Sequence, residues 1–238
     1  RMERIFDSSP LQALELLASS LHGMLTNPST PWFTLRFKKL EDSNDDEAKL
    51  WLEEATEVMY TSFNRSNFQQ EIFELYHDLI TFGTAAMFVE EDEQDLLKFS
   101  TRHIDEVYVA ENQKGRIDTI FRRFHMTARA LVQKFGSNVS QDVEVMAKRN
   151  PYEEMDIIHA VYPRNEFNPK KQDKKNMPFE SIYFEYKGGN ELSVSGFKEF
   201  PFVVPRYLKA SHEVYGRSPA MTALPDVKML NEMCKVTI

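Results

Sequence analysis

Leu11, Leu14, Leu17, Ala18, Leu21 and Leu25 recur at the three- and four-residue intervals that line one face of a helix. Ser9 as N-cap and Pro10 in the first turn set its start, so the spacing predicts a helix over 10–25. Asn27, Pro28, Ser29, Thr30 and Pro31 break it. Phe33, Leu35 and Phe37 then alternate with Thr34, Arg36 and Lys38, the period of a half-buried strand over 32–38. The acidic stretch 41–47 reads as a solvated loop feeding a long helix, whose N-terminal end favours carboxylates. Trp51, Leu52, Ala55, Val58, Met59 and Phe63 mark that helix's expected buried face. A second helix starts at Ser66 or Asn67, carries Phe68, Ile72, Phe73, Leu75, Tyr76, Leu79 and Ile80, and ends near Gly83. The two helices are expected to form an antiparallel pair.

From Thr84 the period changes. Residues 85–89, 96–100, 107–109 and 116–125 read as strands of an antiparallel meander, with Asn112, Gln113, Lys114 and Gly115 as a turn. Thr127 caps a short helix over 128–135, and a second amphipathic piece follows the break at 136–140. Strands are expected at 157–162, 182–186 and 192–194, the last two joined by the turn Gly188, Gly189, Asn190. The run 202–208, broken by Pro201 and Pro205, suits an edge strand. After it, Ser218 and Pro219 open a helical pattern that continues to the last residue without a C-cap glycine. The order predicts an α+β fold, with N-terminal helices packed on antiparallel or mixed β-sheets. A division of the chain near 102–105 is the expected domain boundary.

Composition narrows the classes. With 238 residues and 42% hydrophobic content, the chain can bury a real core. A net charge of -8 argues against a dedicated nucleic-acid binder, because that affinity comes from cations displacing counterions. It equally suits a soluble surface or a passage to which DNA must not stick. Cys234 is the single cysteine, which excludes an internal disulfide and fits a reducing compartment. No membrane span or secretory leader is legible, so neither membrane nor secretion is expected. A helical pattern running off the end makes these residues the expected part of a longer protein.

Stereotyped catalytic spacings are missing. There is no phosphate loop, no dinucleotide glycine pattern and no cysteine or histidine pair at metal-ligand spacing, so no cofactor or metal is expected. Glu90, Glu91, Asp92, Glu93 and Asp95 read as a solvated hairpin loop rather than a cation site. Arg122, Arg123, Lys170, Lys171, Lys174 and Lys175 are candidate phosphate contacts, with solvated positions as the plainer account. Gly216-Arg217-Ser218-Pro219-Ala220 sits between an extended run and a helix, the context of a nucleophile elbow. The imitation is poor, since Ala220 replaces the closing glycine and Pro219 lacks the N–H an oxyanion needs. Ser218 is better read as an N-cap, with a serine hydrolase kept as the enzymatic alternative.

The same segment carries a resemblance. Tyr215, Gly216, Arg217, Ser218 and Pro219, followed by Leu224, Pro225, Asp226, Lys228 and Asn231, resemble the closing signature of head-to-tail connector (portal) proteins of short-tailed bacteriophages. The N-terminus agrees: Arg4 to Ser8, 16–23, and Pro31, Trp32 and Phe33 resemble the opening of the family's wing region. The resemblance implies a structural, non-enzymatic subunit without cofactor. Residues 1–214 would be the wing, and 215–238 the start of a stem helix cut short at Ile238. It further implies a ring of copies, typically twelve, at one capsid vertex of the virion, assembled in the host bacterial cytoplasm. Implied partners are the major capsid protein, the terminase packaging motor, tail or adaptor proteins, and double-stranded DNA passing without sequence specificity. Pro225 is expected to kink or restart the helix, and Arg217 to pair with a carboxylate. A different virion or prophage interaction protein is the remaining alternative.

Overall fold

A computed structural model describes residues 5–38, 46–168, 170–171 and 173–237. Most of the acidic stretch 41–47, together with Arg4 and Ile238, lies outside the described residues. The fold is mixed α+β, with helices first and antiparallel sheets after them. The chain divides into two compact units, the first formed by Arg1–Arg102 with Phe202–Ile238 and the second by His103–Pro201.

In the first unit, α1 (Ser9–Leu25), α2 (Asp46–Arg65) and α3 (Phe68–Phe82) precede the hairpin β1 (Ala86–Asp92) and β2 (Leu96–Arg102). The central element is α3. Its Phe68, Ile72, Leu75, Tyr76 and Ile80 fall on one helical face and are buried. They pack with Ala85, Met87 and Phe99, flanked by Leu21 of α1 and Phe63 of α2. The face of α3 is therefore as the spacing predicts. Ser8, rather than Ser9, is the N-cap of α1, with Pro10 still in its first turn.

Three readings are corrected here. Residues 32–38 form no strand; they run beside α2, whose side chains take the place of a strand neighbour. The Tyr60 hydroxyl accepts from the N–H groups of Trp32 and Phe33, both at 2.6 Å, and Thr56 Oγ1 accepts from Leu35 N–H at 3.2 Å. The N–H groups of Trp32, Phe33 and Leu35 are thereby met without a ladder. Second, α2 is turned by about a quarter turn from the expected face, at about 100° per residue. Thr56 is buried and Leu52, Tyr60 and Phe63 are half-buried, while Trp51 and Val58 are each 64% exposed. Third, the strands from 85 to 125 are not one meander. The β1–β2 hairpin belongs to one sheet and the next hairpin to another.

The second unit holds a five-stranded antiparallel sheet of β3 (Val107–Glu111), β4 (Ile117–Thr127), β5 (Glu154–Pro163), β6 (Phe179–Glu185) and β7 (Glu191–Phe197), in sequence order. Between β4 and β5 lie α4 (Ala128–Phe135) and α5 (Gln141–Arg149). Leu131, Val139 and Val143 from this insertion pack with Phe124, Ile157 and Leu192 of the sheet. Both helices start on a side-chain cap: Thr127 accepts from Ala130 N–H and Ser140 from Val143 N–H. Buried Glu185 accepts from the N–H and hydroxyl of Ser140 at 2.8 and 2.7 Å, tying α5 to the end of β6. His159, buried in β5, bonds Ser181 Oγ at 2.9 Å and stacks on Tyr183 at 3.9 Å.

The chain returns to the first unit with β8 (Phe202–Val203), which pairs with β1 and gives that sheet the order β2-β1-β8. Only these two residues of 202–208 form a strand, and it is at an edge as the prolines suggest. The opposite edge, β2, is covered by α3. Asn67 Nδ2 donates to Phe99 O at 2.8 Å, and Asn67 Oδ1 accepts from Phe99 N–H at 2.9 Å. Glu71 Oε2 accepts from Thr101 N–H. The two side chains thus occupy backbone groups through which an edge strand could pair with another chain. Asn67→Ala leaves both Phe99 groups unmet and is expected to destabilise the first unit by about 1–3 kcal/mol, measured by urea unfolding; a change within about 0.3 kcal/mol, inside the range of ordinary surface substitutions, would show the pairing to be incidental.

Candidate functional site

The residues singled out at 215–231 meet the rest of the first unit at the C-terminal end of α3. That helix ends on Gly83, which holds φ +79°, a region open to glycine without strain. A Cβ there would run into Gly216 O and lie 2.6 Å from the Arg217 carbonyl carbon and 2.7 Å from Ser218 N. Reciprocally, a Cβ on Gly216 would collide with Gly83 O and reach 3.0 Å from Arg206 Cβ. Two backbones therefore touch where no side chain fits.

Hydrogen bonds lock the contact. Fully buried Thr84 accepts from Gly216 N–H through Oγ1 at 2.7 Å. Tyr207 N–H donates to Gly83 O at 2.9 Å, Ala85 N–H to Pro205 O at 3.3 Å, and Arg217 N–H to Leu208 O at 2.7 Å. The run 204–208 thus serves as a strap between the end of α3 and residues 216–218. Ser218 is 3% exposed. Its hydroxyl donates to Thr81 O at 2.9 Å and accepts from Met221 N–H at 2.9 Å. One serine therefore anchors to α3 and caps the last helix, α6 (Pro219–Thr237), leaving its oxygen committed rather than presented to a substrate. Pro219 takes the first helical position.

Beyond that root, α6 contains no buried residue. Ala220, Val227, Asn231 and Cys234 are half-buried along one side. Leu224 and Met233 are exposed, as are Met221, Met229, Leu230 and Val236. Asn231 Oδ1 accepts from Phe6 N–H at 2.8 Å, joining the N-terminal segment to this helix. Asp226 and Lys228 are exposed. Of the kink or restart expected at Pro225, the restart does not occur, since α6 runs as one helix through it. The proline removes the donor for the Met221 carbonyl, and Met221 is on the exposed side, where water can meet the orphaned group.

Arg217 makes a bidentate pair with Glu213, Nε to Oε2 at 2.9 Å and Nη2 to Oε1 at 2.5 Å. The Arg217 hydrogen bond holds the Glu213 carboxyl below its usual range, and the same bond raises the guanidinium. A lowered carboxyl pKa favours the folded state at neutral pH and loses that contribution as pH falls through it. The pair stays open to solvent, with the Arg217 and Glu213 side chains 61% and 41% exposed, so it orients the turn rather than stabilising it much. Tyr215 is exposed beside it. At the other signature, Trp32 stacks on Phe68 at 6.0 Å and Phe33 on Tyr60 at 4.5 Å, so Pro31, Trp32 and Phe33 open an aromatic cluster over α2 and α3.

The second unit presents a depression of about 220 Å³, lined by His125, Glu154, Met155, Asp156, Glu185 and Lys187. Asp156 pairs with Arg123 at 3.0 Å and faces His125 Nδ1 at 3.0 Å, while Arg123 stacks over Tyr186 at 4.2 Å. Arg122 is bonded to Glu106 at 2.7 Å and lies over Phe124 at 3.9 Å. Both arginines considered for phosphate contact are thus engaged inside the unit. Among the described residues, no group of three or more His, Cys, Asp or Glu is placed to hold a metal, and no helix is long and apolar enough to cross a membrane.

The sequence pattern located the Ser218 cap. It missed the partners Thr81, Thr84 and Gly83, which lie more than a hundred residues away; the αL glycine ending α3 was the only local sign. Gly83→Ala and Gly216→Ala are each expected to cost roughly 2–4 kcal/mol, because backbone cannot yield as a side chain can. Gly188→Ala, also at positive φ but facing open space, is expected to cost only about 1 kcal/mol. Equal costs in urea unfolding would sink the close-contact account.

The family model described as "Bacteriophage head to tail connecting protein" matches residues 1–237. The chain is similar to the "Portal protein" of Salmonella phage epsilon15, at 37% identity over 235 residues, and to the "Probable portal protein" of Bordetella phage BPP-1, at 33% over 235 residues. Each match covers 97% of this chain and 42% of the relative, so the chain spans less than half the length of these relatives.

Proposed function

The chain belongs to the bacteriophage head-to-tail connecting protein family, and from that premise we propose that it is the wing and the root of the stem in a portal subunit of a short-tailed phage. Residues 1–214 form the wing, and α6 opens the first stem helix. Copies close into a ring, typically a dodecamer, at one capsid vertex of the virion, after assembly in the host cytoplasm. The ring contacts the major capsid protein, receives the terminase motor, later binds tail or adaptor proteins, and passes double-stranded DNA. The subunit is structural, with no catalytic residue and no cofactor.

The observation that carries this reading is the contrast within α6. Its first turn is fixed by Ser218, Thr84 and the paired glycines, whereas most of its later apolar side chains, Leu224, Met229, Leu230, Met233 and Val236, are exposed in their own unit. A helix rooted this firmly and left with one side largely exposed suits an element completed by neighbouring chains. The net charge of -8 suits a DNA passage that repels rather than binds phosphate.

Purified full-length protein is expected to form hollow rings in negative-stain electron micrographs. Compact monomers at every concentration would overturn the proposal.

A further inference from the structure

Two exposed surfaces of this chain have complementary chemistry. On α2, Leu50, Trp51 and Val58 share the arc turned away from the core and are 55%, 64% and 64% exposed. At about 100° per residue, Glu54 falls among them and Glu53 and Glu57 border the same arc. An apolar anchor set in carboxylates is the composition of an interface core with its polar rim.

The matching surface is the loop between β5 and β6. It exposes Lys170, Lys171, Lys174 and Lys175, which outnumber the exposed carboxylates Glu166 and Asp173 and leave it net positive, with Phe167 exposed beside them. The described residues at the root of this loop are tied by hydrogen bonds. The Arg164 guanidinium donates to the carbonyls of Lys175, Met177 and Ser195 and to Glu180 Oε1 at 3.0 Å. Arg164 N–H donates to Pro178 O at 2.8 Å, closing the loop at its root. Within it, Asn176 N–H donates to Asp173 O at 3.0 Å, and Lys171 N–H to Asn168 O at 3.0 Å. The lysine-bearing turn lies directly on β7, where a Cβ on Gly196 would collide with Lys174 O and reach 2.9 Å from Phe179 O. For the residues so tied, ordering entropy is met in folding, which lowers the cost of docking.

We propose that Phe167 and the lysines at 170–171 and 174–175 of one copy dock on the acidic, tryptophan-bearing face of α2 in a second copy. The inference rests on the self-assembling reading above and names the surfaces of that contact. Phe167 meets the Leu50, Trp51 and Val58 patch, while the four lysines face Glu53, Glu54 and Glu57. Because the two surfaces are different parts of the chain, the contact is head-to-tail and can close a ring. Charge complementarity selects this occupant over DNA, which would meet the loop lysines but leave the apolar face of α2 bare.

The test uses full-length protein and two charge-reversed variants, one carrying Glu53→Lys, Glu54→Lys and Glu57→Lys, the other Lys170→Glu, Lys171→Glu, Lys174→Glu and Lys175→Glu. Self-association is followed by sedimentation velocity, with circular dichroism confirming the fold. Each variant alone is expected to need at least about tenfold more protein to assemble, and their equimolar mixture to assemble as the wild type does. Trp51→Ser, which changes no charge, is expected to weaken assembly by about tenfold as well. Either reversed variant assembling at wild-type concentration, or a mixture that stays dissociated, overturns the contact. So does a lysine variant that assembles normally and loses only salt-sensitive retention on DNA. Wild type that never assembles overturns the ring proposal itself, a distinct result.

Discussion

The first unit depends on a backbone contact that no side chain could occupy. Gly83 ends α3 in the left-handed region, and Gly216 brings the chain back against it after more than a hundred intervening residues. Thr84, fully buried, and Ser218, nearly so, supply the hydroxyls that meet the polar groups this close approach would otherwise strand. Glycine gives the distance and the hydroxyls give the direction. Because Ser218 also caps α6, the start of that helix is set by the end of α3. The edge strand β8 and the strap 204–208 follow from the same closure, since the returning chain must pass β1 to reach Gly83.

Where a residue's structural reason lies within a few neighbours, the sequence could be read directly. Thr127 as cap, the extent of α4 and the buried face of α3 all come from spacing and hydroxyl chemistry inside one turn or one helix. The hairpin turns were legible for the same reason: Gly115, Gly188 and Gly189 all adopt positive φ. Non-local decisions were not legible. Alternation tells each strand which way its side chains point and says nothing of which hairpins share a sheet. The partition into sheets of three and five strands therefore lay beyond it. The 32–38 segment alternates correctly and still forms no strand, because Tyr60 and Thr56 of α2 reached its backbone first.

The misread face of α2 is more informative. A hydrophobic stripe signals that burial is favourable, without saying whether the cover comes from the same chain. Phe63 answers to the unit's own aromatic cluster and Leu52 is half-buried, while Trp51 and Val58 are exposed. One apparent stripe thus combined two neighbouring faces with different destinations. The candidate site shows the same division, with Ser218 legible as a cap and the surroundings of Leu224 and Met233 outside what spacing can resolve.

Leaving a Leu, Val or Met side chain in water forgoes about 1.5–3 kcal/mol of burial each, so bare faces on α2 and α6 are a standing driving force for association. On α2, Glu53, Glu54 and Glu57 temper it, since carboxylates repel a second acidic face and admit a basic one. On α6 the exposed apolar residues extend over much of the helix and carry no comparable acidic cluster. Under the proposed reading, α2 supplies selectivity and α6 supplies burial area. The Gly83–Gly216 closure then has a mechanical purpose. By fixing the first turn of α6 within the folded unit, it fixes the direction in which the apolar face is offered, so association meets a preoriented helix rather than one that must be ordered at additional entropic cost.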